Sequence, residues 1–448
     1  MADTRTMVVE ARTATESGLA DAFAALRRKL PLDAAAGRRE AAFQSFAVQG
    51  LPDRHVEEWK YTDLRALMRT AQPLAGPPDA RAKARAAAAG AVFGDVSVRR
   101  LTILNGALVP ELSDLAGLEP GLKITSLADI LGRGGFPRHF TDRGPAEGDV
   151  AYALNTAFMG DGVVIEVANG ARIERPIHLV HANGAEEPEA VFSRSLVALG
   201  HGSTLTLLES HEGPDNLDYQ VNTALDIVVD DGARLDRIKL NAEGAAALHV
   251  ATTSAKVAAN ATYADVALTI GGGIVRNQLF AQCMGPGSTL ALNGASLLKG
   301  RQHADTTLLV EHVAPGCRSR ELFKSVLDES SRGVFQGRII VRPGAQKTDA
   351  RMMTRALLLS EDAEADNKPE LEIFADDVQC GHGATSGALD DNLKFYLMAR
   401  GIPEPQAEAL LIESFVAEAI DSVAHEGIRE ALMRTTRQWL KARGAVAS

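Results

Sequence analysis

Short turns recur along the middle of the chain, and this recurrence constrains the fold more than any other feature of the sequence. Between about Asn155 and Phe374 most neighbouring turns lie roughly 30 residues apart, with one longer gap. Glycine and proline interrupt regular structure most strongly, and a fixed period of this length is typical of a stacked array. The turns are Asn169-Gly170-Ala171, His201-Gly202-Ser203, Asp231-Gly232-Ala233, Gly285-Pro286-Gly287, Pro315-Gly316 and Pro343-Gly344.

The segments between the turns are rich in β-favouring residues, as in the stretches GVVIEVANGARI, STLTLLES and GRIIVRP. Helix-length periodicity rarely separates these segments, which disfavours a fold of alternating strands and helices. We therefore predict a mainly β protein whose core is a right-handed parallel β-helix. A β-sandwich or jelly roll is the alternative, because short apolar runs and glycine turns also occur in those folds.

Helices are predicted on both sides of this core. Leu19, Phe23, Leu26 and Leu30 form one apolar stripe, which predicts a helix over Glu16–Leu30. The predicted segments are an N-terminal helical region at 1–95, a connecting segment of short strands and loops at 96–150, the β-helix core at 151–387 and a C-terminal helical domain at 388–448.

Charge and leader patterns limit the classes of partner and compartment. The chain carries 47 Lys and Arg against 58 Asp and Glu, for a net charge of −11, without a dense basic tract. This balance argues against nucleic acid or an anionic membrane as the main partner. Residues 1–12 lack an apolar segment, so no secretory signal is expected, and no apolar run is long enough to span a bilayer. We expect a cytoplasmic protein.

The strongest chemical signal is the pair Cys380 and His382, which stand one residue apart among glycines. In an extended backbone, side chains two positions apart leave from the same face. A thiolate and an imidazole on one face suit iron, zinc, copper or sulfur chemistry. We predict that this pair lies between a strand containing Leu371, Ile373 and Val378 and the helix that follows. A buried cysteine and a turn histidine are the structural alternative.

The remaining candidate residues show no ligand pattern. The three cysteines are odd in number and form no CxxC motif, so a self-contained site of four cysteines is not expected. Cys283 and Cys317 are predicted to be buried core or turn residues, and no ligand pattern links His303 or His312 to them. No catalytic triad, paired-carboxylate motif or phosphate-binding loop is present, so we expect neither an enzyme nor a nucleotide site.

Three stretches carry a family resemblance. They are WKYTDL at Trp59–Leu64, the segment Ser319–Ala350, and PELEIFADDVQCGHGATSGALD at Pro369–Asp390 followed by FYLMARGI. Together they resemble SufD in the SufB/SufD family of the SUF iron–sulfur cluster assembly system. The family often has serine between the cysteine and the histidine, whereas this chain has Gly381.

The resemblance implies a non-catalytic scaffold with two partners. A SufB-like subunit would form a heterodimer through the late β-helix and share a transient iron–sulfur cluster at the interface. His382 corresponds to the family's functional histidine, and Cys380 to the neighbouring cysteine. A SufC-like ABC ATPase would dock on the C-terminal helices, for which the candidate residues are Tyr396, Leu410, Leu411 and Phe415.

Further expectations accompany this resemblance. A reduced flavin in the complex and a homodimer of the isolated subunit are both expected possibilities. Two other readings remain open: a SufB-like paralogue of the same system, and a β-helix carbohydrate-binding protein or lyase. The carbohydrate reading is disfavoured because aromatic residues make up only 5% of the chain and both tryptophans lie outside the predicted core.

Overall fold

The computed structural model describes residues 12–30, 33–140 and 146–446, with side chains described up to residue 443. The prediction that no secretory signal is present falls on residues 1–12, almost all of which lie outside the described residues.

Nineteen strands in the described part of the chain form two sheets. In chain order they are β1 (Arg99–Leu104), β2 (Ala107–Leu108), β3 (Leu122–Ser126), β4 (Val163–Val167), β5 (Ile177–Ala182), β6 (Ala190–Leu199), β7 (Thr204–Glu212), β8 (Gln220–Val229), β9 (Arg234–Ala242), β10 (Leu248–Val257), β11 (Thr262–Thr269), β12 (Ile274–Cys283), β13 (Thr289–Leu298), β14 (His303–His312), β15 (Arg318–Leu327), β16 (Arg332–Val341), β17 (Asp349–Leu358), β18 (Glu364–Ile373) and β19 (Gln379–Gly387).

The strands from β4 onward wind as a parallel β-solenoid of about eight turns, each with one strand in either sheet. One sheet has the order β19-β17-β15-β13-β11-β9-β7-β5-β1-β2, and the other has the order β18-β16-β14-β12-β10-β8-β6-β4-β3. The mainly β, parallel β-helix prediction is therefore confirmed, and the parallel pairing excludes the sandwich alternative. The right-handed winding stays a prediction.

The solenoid core lies between the two sheets. Its side chains come from alternate positions of successive strands and stack in columns, because parallel strands in register place equivalent residues above one another. Val257, Leu292, Val310 and Met352 are fully or almost fully buried in this layer. Removing apolar surface of this kind from water contributes roughly 25 cal/mol per Å² and is the main force that holds the turns together.

The predicted turns line one edge of the solenoid, where each even-numbered strand passes to the next odd-numbered one. Gly202 and Gly232 there have φ values of 64° and 66°, a left-handed conformation that glycine adopts without a Cβ clash. The longer gap in the sequence period also contains a turn, in which Asn260 takes the left-handed position with φ 53°. Asparagine tolerates this region better than most side chains, so the period continues without its glycine.

Helices cover the outer faces of both sheets. They are α1 (Ala14–Lys29), α2 (Ala36–Gln49), α3 (Leu64–Leu67), α4 (Ala80–Arg85), α5 (Leu127–Gly132), α6 (Val150–Phe158), α7 (Asp391–Met398), α8 (Glu404–Ile420) and α9 (Glu426–Val446). α1, α2 and α6 pack on the even-numbered strands, and α8 and α9 pack on the odd-numbered strands. The predicted N-terminal and C-terminal helical parts are thus confirmed.

The first helix shows why its sequence folds as predicted. Thr13 caps α1 by accepting a hydrogen bond from the Glu16 backbone N–H, while the Glu16 carboxylate accepts one from the Thr13 backbone N–H. This reciprocal capping box satisfies two backbone donors that a helix end leaves unpaired. Leu19 and Phe23 then bury the apolar stripe, and Phe23 stacks on Phe43 of α2 with ring centroids 4.1 Å apart.

Trp59 of the WKYTDL stretch is buried and anchors the N-terminal region on the solenoid. The Arg276 guanidinium lies 3.8 Å from the centre of its ring, and Arg276 is itself buried and paired with Asp305. Thr62 donates a 2.5 Å hydrogen bond to the same Asp305 carboxylate. These contacts fix the region to β12 and β14, so Trp59 and Thr62 have structural roles.

Candidate functional site

The solenoid ends at β18 and β19, which are the last strands of the two sheets. Among the described residues no strand pairs with their outer edges. Both are long for edge strands, and their backbone N–H and C=O groups on that side are available to pair with another chain. Ile373 and Phe374, at the turn between them, are exposed at 42% and 57%. The end of the solenoid is therefore an open, partly apolar surface.

Cys380 and His382 both lie inside β19. The prediction that the pair lies between a strand and a helix was wrong. Leu371 and Ile373 lie at the end of β18, Val378 lies in the turn, and a new strand that contains the pair begins at Gln379. The chain returns to the opposite sheet at this turn, as it does in every earlier solenoid turn. The helix predicted after the pair is confirmed as α7, with the Asp390 carboxylate as its N-cap.

The two side chains share one face of β19, as their spacing predicts. Cys380 is in register with Ala350 of β17 and His382 with Met352, and both of these partners are buried in the core. The shared face therefore points toward the inside of the solenoid at its uncovered end. Cys380 is half-buried against the core, whereas His382 is exposed.

Burial raises the pKa of the Cys380 thiol above its usual range, because the low-polarity surroundings disfavour the thiolate. A metal or sulfide-bearing ligand binds the thiolate form. Ligation by Cys380 therefore requires loss of a proton, which a bound cation would favour.

Both residues line an open depression of about 570 Å³, which also contains Glu321 of β15. The Glu321 side chain is buried, and neither carboxylate oxygen has a hydrogen-bond partner among the described residues. Burial raises its pKa to about 8. Glu321 is in register with Met352, which is in register with His382, so the three residues form one column of the odd-numbered sheet. The buried Met352 side chain therefore stands between Glu321 and His382 in this column.

Three arginines of β15 and β17 also line the depression: Arg320, Arg351 and Arg355. Each has a carboxylate within 4 Å, because Arg320 and Arg351 pair with Asp349 and Arg355 pairs with Glu418. These exposed pairs are worth little individually. Arg320 alternates with Glu321 along β15, and Arg351 and Arg355 alternate with Met352 along β17, so the arginines lie on the outer face of the sheet, opposite the face that carries Cys380 and His382.

The predicted ATPase-docking residues divide into two groups. Tyr396 and Leu410 are exposed at 54% and 42%. Leu411 is half-buried, and Phe415 packs toward the solenoid with the Lys324 ammonium 4.2 Å from its ring centre. Other apolar side chains of α7 are exposed alongside Tyr396 and were not among the predicted docking residues: Leu393, Phe395 and Met398. The exposed apolar surface of the C-terminal helices is therefore centred on α7.

Cys283 and Cys317 are buried, as predicted for core or turn residues. The structure also places His312 beside them, although the sequence showed no ligand pattern linking the three. Cys283 ends β12, His312 ends β14, and Cys317 lies in the turn before β15.

No helix in the described ranges is both long enough and apolar enough to cross a membrane.

Comparison with known proteins identifies the family. The family description "SUF system FeS cluster assembly, SufBD core domain" matches residues 180–415, and "SufBD protein N-terminal region" matches residues 25–179. The chain is 31% identical over 395 residues to the iron–sulfur cluster assembly protein SufD of Escherichia coli, covering 87% of this chain and 90% of that protein. It is 28% identical to an iron–sulfur cluster assembly SufBD family protein of Synechocystis, covering 86% and 87%. A SufD protein of Bacillus subtilis is 25% identical, covering 64% and 66%.

The chain therefore belongs to the SufBD family of the SUF iron–sulfur cluster assembly system. The resemblance to SufD that its motifs indicate is confirmed, and the family match leaves the carbohydrate-binding alternative without support.

Proposed function

We propose that the chain is a SufD-type scaffold on which an iron–sulfur cluster is assembled with a SufB-like subunit. The observation that carries this proposal is the position of Cys380 and His382, which share one inward face of a terminal strand whose outer edge is unpaired. The cluster is the product of the assembly and leaves it. The chain itself acts as a binding surface and not as an enzyme.

The number of ligands supports a shared site. Iron–sulfur clusters are commonly held by four protein ligands, mostly cysteine thiolates with histidine as a known replacement. Cys380 and His382 supply at most two, and the buried Met352 side chain separates Glu321 from His382 in their column. A second subunit would complete the set. A half-site of this kind holds a cluster only while the partner is present, which suits assembly followed by release.

The free edges of β18 and β19 are where the SufB-like partner would bind. Parallel strands in register with exposed backbone groups allow a similar solenoid to pair end to end, with Ile373 and Phe374 buried at the junction. The same edge would allow two isolated chains to pair as a homodimer. We further propose that a SufC-like ATPase binds the exposed apolar surface of α7, around Phe395 and Tyr396.

Cytoplasmic location, the absence of a nucleotide site and the presence of a reduced flavin in the complex stay predictions.

The first experiment is anaerobic co-purification of the tagged chain expressed with its SufB-like and SufC-like partners, followed by assay of iron and acid-labile sulfide. The wild type is expected to yield both partners and a cluster. His382→Ala is expected to keep the partners and lose cluster content at least roughly tenfold, since it removes a ligand. His382→Cys, which restores a soft ligand, is expected to recover part of the loss.

Thr385→Ala is the matched control, because Thr385 is exposed on the same strand and lies on the other face from His382. Equal iron and sulfide in the His382→Ala and Thr385→Ala complexes would contradict the proposed role of His382.

A second experiment tests the ATPase surface. Phe395→Asp on α7 is expected to remove the ATPase from the purified complex while leaving the SufB-like subunit bound, because a charge replaces an exposed aromatic ring. Val48→Asp is the control, since Val48 is exposed at 85% on α2. If the Phe395→Asp complex retains the ATPase, the proposal that the ATPase docks on α7 is wrong.

A further inference from the structure

A second group of sulfur and nitrogen side chains lies inside the solenoid, within one column of the even-numbered sheet. Strand register fixes this column, whose members are the last residues of successive strands. From β6 to β18, five of its seven positions are aliphatic and two are not. Over these strands the column reads Leu199, Val229, Val257, Cys283, His312, Val341 and Ile373. A fully buried imidazole in a stack of valines requires a physical reason, because burying a polar ring without full pairing costs free energy.

Cys283 and His312 are directly opposite each other on β12 and β14. Cys317, in the turn that follows His312, folds back into the same layer. One potential ligand atom from each residue lies within 4.8 Å of the other two, and all three residues are fully buried. A tetrahedral zinc ion with Zn–S near 2.3 Å and Zn–N near 2.0 Å separates such atoms by about 3.6–3.8 Å. The observed arrangement therefore needs a closure of at most about 1 Å.

The histidine is oriented by its neighbour. His312 Nε2 lies 3.0 Å from Ser319 Oγ, whereas Nδ1 is buried and has no hydrogen-bond partner among the described residues. Metal-binding histidines commonly have one ring nitrogen held by a second group, which leaves the other nitrogen available to the metal. Ser319 supplies this second group. His312 thus carries an unpartnered buried nitrogen within a cluster that also holds two thiols, and this observation points to a ligand.

Packing alone does not explain the two cysteines. The Cys317 thiol donates to Ala314 O at 3.1 Å, closing its turn. The serine and threonine hydroxyls of other turns make the same bond, from Ser203 to Gly200 O at 2.7 Å and from Thr348 to Ala345 O at 2.8 Å. A serine therefore suffices to close the turn at the position that Cys317 occupies. A valine likewise suffices to fill the core at the position that Cys283 occupies in its column.

We propose that Cys283, His312 and Cys317 form a structural site for a thiophilic divalent cation, with zinc as the best-fitting ion. Two thiolates neutralise the charge of the cation, so the complex enters the apolar core without net charge. Binding releases the two thiol protons and involves no change of oxidation state. The hydroxyl of Ser288, which donates to Cys317 Sγ at 3.1 Å, is available for the fourth position. This site is distinct from Cys380 and His382 and does not depend on the proposed scaffold role.

The test measures zinc in the full-length chain, purified under reducing conditions after growth with zinc and again after refolding with zinc and dialysis. The wild type is expected to retain about one zinc ion per chain. Cys283→Val and Cys317→Ser are expected to lower this content at least roughly tenfold, since each removes one ligand. Both substitutions insert a residue that the solenoid already uses at the equivalent position. Circular dichroism is expected to match the wild type.

Cys380→Ser is the control, because Cys380 is the one cysteine outside the group. It is expected to keep its zinc. Three results overturn the proposal: a wild type without zinc after both procedures, zinc retained by Cys283→Val and Cys317→Ser, or zinc lost in Cys380→Ser. A Cys283–Cys317 disulfide found by mass spectrometry in protein alkylated on lysis would also overturn it, since the thiols would then not be available to a metal.

Discussion

Two groups of cysteine and histidine occupy this solenoid, and they differ in what surrounds them. Cys283, His312 and Cys317 are sealed between the sheets, with all three potential ligands supplied by one chain. Cys380 and His382 stand at the uncovered end, where one is half-buried and the other exposed. The same residue types therefore appear once as a closed set and once as an open, incomplete set.

This difference teaches how one fold separates retention from release. A metal bound among buried ligands is exchanged only when the surrounding turns open, so its binding energy is added to the stability of the fold. A ligand bound to two groups at an edge depends on a partner and leaves when the partner moves. For an assembly scaffold, the product site must be of the second kind.

The comparison predicts a large difference in thiol reactivity. Cys380 is expected to react with iodoacetamide in the native chain, more slowly than a free cysteine because its pKa is raised by burial. Cys283 and Cys317 are fully buried and are expected to react roughly a hundredfold or more slowly, since they become accessible only through opening of the fold. Time-resolved alkylation with peptide mass spectrometry measures all three.

Zinc-free protein is used for this comparison, and alkylation in urea serves as the control in which the three rates converge. Equal alkylation rates for Cys283 and Cys380 in the folded chain would show that Cys283 is accessible to solvent.

A smaller effect is expected on stability as a function of pH. Burial raises the pKa of Glu321 from 4.5 to about 8, so the folded chain holds this proton more tightly than the unfolded chain. The associated stability is fully present below pH 4.5 and is lost as the pH rises to about 8. Glu321→Gln is therefore expected to be more stable than the wild type at pH 9, by up to a few kcal/mol, and close to it at pH 5.

Urea unfolding at the two pH values measures this difference. Glu361→Gln removes a charge from an exposed turn and is the control. Its urea midpoint is expected to differ between the two pH values by the same amount as that of the wild type. A Glu321→Gln variant no more stable than the wild type at pH 9 would show that the carboxyl is better solvated than its burial indicates.

The smallest effect is expected from truncating the cysteines in metal-free protein. Cys283→Ala leaves a small cavity in a packed layer and is expected to cost about 1–2 kcal/mol of unfolding free energy. Cys380→Ala, at the open end, is expected to cost less than about 1 kcal/mol because the side chain is already partly exposed. Urea midpoints of the two variants against the wild type measure this. A larger loss of unfolding free energy for Cys380→Ala than for Cys283→Ala would contradict the description of Cys380 as the more open of the two positions.

The sequence predicts much of the solenoid because most of its turns contain glycine at a regular period. The turn at Asn260 was not predicted because asparagine, and not glycine, takes the left-handed position there. Cys380 and His382 could be paired from their spacing, since two residues apart means one face of a strand. Cys283 and His312 could not. They lie one turn apart, and such a pairing is known only when the strand register is known, because a slip of one residue moves every side chain to the other face.

Glu321 was missed for a related reason. It lies on the same face of β15 as Ser319 and Phe323, which are also buried, so it shares the inward face with an aromatic residue. A charge at such a position is a signal, but its place in the same column as His382 is known only from the register through Met352.

The central claim is that the open end holds half of a site. It is tested most directly by anaerobic reconstitution with iron and sulfide, comparing the isolated chain, its complex with the SufB-like and SufC-like partners, and the same complex with His382→Ala. After desalting, cluster iron and sulfide are expected in the wild-type complex, with at least roughly tenfold less in the other two samples. A stable cluster on the isolated chain, or full cluster content in the His382→Ala complex, would contradict the account.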